Sequence, residues 1–73
     1  MTSYYRDKQR ALNELHKLLN DGKKLKTNLN IESLLYEFAR NHAVSEKVIK
    51  VQIERFAELN QIKIAYGELI MEQ

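Results

Sequence analysis

Apolar positions along this chain fall into two rhythms, and the places where the rhythm changes mark the elements. From Ser3 to Asn20, Ala11, Leu12, Leu15, Leu18 and Leu19 recur at three- and four-residue spacing. That spacing puts them on one stripe of a helix. Thr2 or Ser3 supplies an N-cap, and Asp21-Gly22 predicts the stop, with Gly22 open to a left-handed C-cap. Between Lys23 and Asn30 the period drops to two. Leu25, Thr27 and Leu29 alternate with Lys24, Lys26 and Asn28, which reads either as a short half-buried strand or as an ordered loop. Asn30 then caps a second helix, whose stripe is Ile31, Leu34, Leu35, Phe38 and Ala39. Arg40 and His42 fall in its last turn, where cations suit the helix dipole.

Ser45 caps a third helix with Glu46 in its first turn, and Ile49, Ile53, Phe56 and Ala57 form its inward stripe. Asn60 is the expected left-handed C-cap. The last segment returns to period two and predicts a hairpin. With Tyr66-Gly67 as a two-residue loop, Ala65 pairs with Glu68, Ile64 with Leu69 and Ile62 with Met71. Ile62, Ile64, Leu69 and Met71 then share one face. Tyrosine is unfavourable where a primed turn needs positive φ, so the turn type stays open.

The order is therefore helix, short strand, helix, helix, two-stranded hairpin: mainly α with a small β element. At 73 residues the chain suits one domain spanning 1–73. A domain this small buries only about 60% of its unfolded surface and often gains stability by oligomerising. With no cysteine, neither a disulfide nor a thiolate zinc site is possible. No apolar run approaches the roughly 20 residues of a membrane span, and the start MTSYYRDKQR has no signal-peptide pattern. A soluble, cytoplasmic domain is expected.

Charge is unevenly placed. Residues 1–30 carry seven basic and three acidic side chains, and residues 31–73 carry five basic and seven acidic. A basic half suits an anionic partner such as nucleic acid, or is simply a solvated surface.

The segment NIESLLYEFARNHAVSEKVIKVQIERFAELNQIKI resembles the winged helix-turn-helix superfamily. In that family a helix of the type LLYEFA leads into a turn that ends in a buried aliphatic and a polar cap. Here these are Val44 and Ser45. The recognition helix then buries positions five, nine and twelve after that aliphatic, here Ile49, Ile53 and Phe56. Asn60 stands where a glycine or small residue is usual. With the first helix and the wing, the resemblance covers residues 8–71. The pattern is one of hydrophobic spacing, and it points to a superfamily rather than to one protein.

The resemblance implies double-stranded DNA binding by a small transcriptional regulator, with helix 45–59 in the major groove. Lys47, Lys50 and Arg55 are the expected main contacts, and Gln52 can read adenine if it points outward. Ser45 adds a donor to phosphate at the helix start. Lys23, Lys24, Lys26 and Lys63 are expected on the phosphate backbone. Against this stand Glu46, Glu54 and Glu58, which bring the helix to zero net charge, and Val48 and Val51 on the face meant for DNA. Those valines support the alternative, a protein-assembly module of the same fold. A third reading uses the basic first half for RNA or DNA without sequence preference. Tyr4 and Tyr5 either pad the core edge or make a homodimer contact, and the dimer is favoured.

No enzyme, cofactor or metal is expected. His16 and His42 are far apart and lack a ligand-rich neighbourhood. Ser3, Ser33 and Ser45 lie at caps or in helices, and two glycines cannot build a phosphate loop.

Overall fold

A computed structural model describes residues 3–71, with side chains from Arg6 onward; the Tyr4 and Tyr5 dimer contact and the Thr2 or Ser3 cap lie outside the described side chains. Among the described residues there are three helices, α1 (Ser3–Leu25), α2 (Ile31–Asn41) and α3 (Glu46–Leu59). Three strands, β1 (Leu29–Asn30), β2 (Lys63–Ala65) and β3 (Glu68–Ile70), form one antiparallel sheet in the order β1-β3-β2. None of these helices is long and apolar enough to cross a membrane.

The helical stripes meet in one core. Ala11, Leu15 and Leu19 of α1 join Leu34 and Phe38 of α2, and Ile49, Ile53, Phe56 and Ala57 of α3. Val44 from the turn and Ile62, Leu69 and Met71 from the hairpin segment close it. The caps of α2 and α3 form as the sequence predicts. Asn30 accepts from the Ser33 N–H at 2.8 Å, and Ser45 Oγ accepts from the Val48 N–H at 3.3 Å.

The end of α1 differs from the expectation. The helix runs through Gly22 to Leu25, so Lys23 and Lys24 are helical and the strand shrinks to Leu29–Asn30. Gly22 continues the buried stripe three residues after Leu19. A Cβ placed there would lie 3.0 Å from Leu29 Cδ1 and 3.4 Å from the Thr27 carbonyl oxygen, so Leu29 sits directly over Gly22. The left-handed residue is instead Lys26, at φ 55. Its N–H bonds to the Lys23 carbonyl at 3.2 Å and the Thr27 N–H to the Gly22 carbonyl at 2.9 Å, which together make a Schellman motif.

The same motif ends α3. Asn60 is the C-cap but sits at φ −104, and Gln61 takes the left-handed position at φ 56. Gln61 N–H bonds to the Glu58 carbonyl at 3.3 Å and Ile62 N–H to the Ala57 carbonyl at 2.8 Å. Asn60 is occupied otherwise: its Nδ2 donates to the Phe56 carbonyl at 2.9 Å.

The hairpin forms in the expected register, Ala65 with Glu68 and Ile64 with Leu69. Tyr66 at φ 54 and Gly67 at φ 73 are both left-handed, which is the backbone of a type I′ turn. The hairpin is not free, because β1 pairs with β3 through Leu29–Leu69 and Asn30–Glu68. Asn28 Oδ1 also accepts from the Met71 N–H at 2.7 Å. This makes β3 the central strand and β2 an outer one. Ile64 is paired with Leu69 yet stays 43% exposed on the outer strand, whereas Leu69 on the central strand is fully buried.

Candidate nucleic-acid interface

Helix α3 divides cleanly into two faces. Its buried stripe turns Glu46, Lys47, Lys50, Val51, Glu54, Arg55 and Glu58 toward solvent. Among the described residues Lys47, Lys50 and Arg55 form no ion pair, so their charges are free for an anionic partner. Val48 is not the exposed residue that its position predicts. It is half-buried and packs against the core, beside the first turn that Ser45 caps. Only Val51 of the two valines is exposed, and Gln52 is half-buried rather than outward.

The hairpin turn lies against the start of α2, where the Ile31 N–H bonds to the Gly67 carbonyl at 2.9 Å. A shallow groove of about 360 Å³ runs from there to Lys50, lined by Ile31, Glu32, Leu35 and Tyr66. Tyr66 is 99% exposed at its rim. Sequence reasoning gave this tyrosine no role; its place at the tip of a two-residue turn was the available signal.

The lysines placed on phosphates separate into a second group. Lys23 Nζ donates to Asn60 Oδ1 at 2.8 Å, which ties the end of α1 to the end of α3. Lys24 and Lys26 flank the same helix end, and Lys63 opens β2 three residues after Asn60. All three are exposed. At about 1.5 Å per residue, α3 holds this group about 20 Å from Lys47 and its first turn.

The first turns of α2 and α3 each carry a glutamate, Glu32 and Glu46, which suits both helix dipoles. Together they line a second groove of about 420 Å³ with Ser33, Leu35 and Tyr36. Tyr36 is held at its edge by Arg40, whose Nη1 donates to the phenol oxygen at 3.2 Å and whose guanidinium lies 5.8 Å over the ring.

His42 was expected at a helix end, and it is the C-cap of α2, but it also has partners. Its ring stacks on Phe38. Nδ1 lies 3.4 Å from Asp7 Oδ1 and Nε2 lies 3.5 Å from Glu14 Oε1. Asp7 Oδ2 accepts from the Ala43 N–H at 2.6 Å. That backbone bond, then the His42 contact, holds the Asp7 carboxyl below its ordinary value of 3.8. The cluster ties α1 to the turn before α3. No group of three or more His, Cys, Asp or Glu suited to a metal occurs among the described residues.

No family model matches the chain, and no curated protein or solved structure matches it either.

Proposed function

We propose that this chain is a winged helix-turn-helix domain that binds double-stranded DNA as a small transcriptional regulator. The carrying observation is the outward face of α3, which presents Lys47, Lys50 and Arg55 without competing ion pairs among the described residues. Lys47 and Lys50 act in the first half of the helix on base edges or phosphates, and Arg55 holds the backbone. Val51 meets a thymine methyl. Tyr66 and Lys63 belong to the wing, with Tyr66 beside Lys50 at its tip.

Glu46, Glu54 and Glu58 share the exposed surface of this helix. Few phosphates are therefore neutralised, and binding has a shallow salt dependence with weak affinity for random sequence. Fluorescence anisotropy with random duplex and with the native upstream region, each at two salt concentrations, tests the reading. Salt-weakened binding that Lys50→Ala and Arg55→Ala reduce supports it. No binding at low salt to either duplex overturns it.

A protein-assembly role of the same fold draws on one observation, the exposed Val51 between the acidic residues of α3. In that case Val51→Asp breaks a protein complex and leaves DNA irrelevant.

A further inference from the structure

We propose that copies of this chain associate head to tail, the C-terminal end of α1 in one copy seating in the groove between the first turns of α2 and α3 in the next. The inference makes no use of DNA binding and stands or falls separately from it.

The donor end is an apolar knob set among cations. Leu25 is 72% exposed at the last position of α1, between Lys24 and Lys26. The Lys23–Asn60 bond brings the end of α3 beside it, and there Leu59 is 77% exposed. Lys26 holds a left-handed backbone at which glycine would sit without steric cost.

The acceptor has the opposite charge. Glu32 and Glu46 line the groove of about 420 Å³, while the nearest cations, Arg40 on Tyr36 and Lys50 in the adjoining groove, lie at its edges. Leu35 supplies apolar surface, and Tyr36 is a 62% exposed aromatic wall braced by Arg40. Leu25 would lie against Leu35 and Tyr36 while Lys24 and Lys26 face Glu32 and Glu46.

The two surfaces occupy different ends of α3, since Glu46 starts the helix and Asn60 ends it. In the head-to-tail arrangement each pair of copies uses one donor and one acceptor and leaves the other donor and the other acceptor unoccupied. Such a heterologous contact propagates into a chain or closes into a ring. Its ion pairs are exposed, so salt weakens it.

Sedimentation velocity without DNA tests this. The average mass should rise with concentration past twice the 8.7 kDa of one chain, and fall back at high salt. Lys26→Gly relieves strain and removes one cation, so association should weaken about two- to fivefold while the melting temperature rises. A Lys24→Glu, Lys26→Gly chain keeps only the acceptor, and a Glu32→Lys, Glu46→Lys chain keeps only the donor. Each alone should be monomeric, and an equal mixture should stop at a dimer. A wild-type chain that stays monomeric at low salt and millimolar concentration overturns the proposal. So does a discrete salt-insensitive dimer, or self-association of Lys26→Gly at wild-type strength.

Discussion

The junction between α2 and α3 and the exits of α1 and α3 are all ends of helices, yet they are held in different ways. Each exit closes on itself. Two backbone bonds and one left-handed residue, Lys26 or Gln61, complete the motif from six consecutive residues. Conformational strain is the cost, of order 1 kcal/mol for each non-glycine residue. The junction has no such closure. His42 passes directly into extended backbone at φ −137, and its neighbour Ala43 finds its partner in Asp7, 36 residues away. A helix exit is thus robust and slightly strained, whereas the turn that aims α3 is unstrained and depends on α1. What orients the proposed DNA-contacting helix is a tertiary contact.

The largest break in that comparison is Val44→Asp. Val44 is buried in the core at the junction, and a carboxylate there has no partner from which to recover its hydration. Denaturant unfolding should show a loss of about 3 kcal/mol or more, enough to unfold a domain of this size. Ser45→Ala removes the cap that starts α3 just after the junction and should cost about 1 kcal/mol. Its circular dichroism at room temperature should stay native. At the exits the sign reverses. Gln61→Gly should stabilise by about 0.5–1 kcal/mol, read as a higher melting temperature, because the native backbone there is one that glycine adopts freely. A fall in melting temperature would show that the Gln61 side chain does more than fill the turn.

The smallest effect lies in the acid range and separates the two regions by pH. Asp7 holds its proton more weakly folded than unfolded, chiefly through the Ala43 N–H. Its contribution is complete above the ordinary value of 3.8 and is lost as pH falls through the lower folded value. Asp7→Asn should therefore lower the melting temperature at pH 7 and converge with wild type once the pH is below the lowered folded value. The shift from Gln61→Gly, where no carboxylate takes part, should stay constant over the same range. An Asp7→Asn chain that melts like wild type at pH 7 would show that the charge of Asp7 adds nothing to its bond with the Ala43 N–H.

Entries to helices were legible because the cap and the residue it serves are three apart. Asn30 and Ser45 carry their acceptors with them. The hairpin register was legible for a similar reason, since alternation and turn length left one consistent pairing. Exits were legible only in part. Asn60 is the C-cap of α3 as its residue type suggests, but Gln61 takes the left-handed position, and α1 runs past Gly22, which lies under Leu29. The three-residue step from Leu19 to Gly22 was a signal that a glycine can also belong to a buried stripe.

For the candidate site, the exposure of Lys47, Lys50, Val51 and Arg55 on α3 followed from its sequence, because a 3.6-residue period separates buried from exposed positions on any helix, whereas Val48 and Gln52 are half-buried against that expectation. Which charges work together did not follow. Lys23, Lys24, Lys26 and Lys63 look like companions of Lys47 and Lys50 in a list of basic residues, yet folding sets them at the other end of α3. The pairing of His42 with Asp7 and Glu14, the meeting of Glu32 with Glu46, and the place of Tyr66 beside Lys50 are also properties of the fold. Each joins residues from different elements, and the distance between elements is decided by core packing rather than by spacing along the chain.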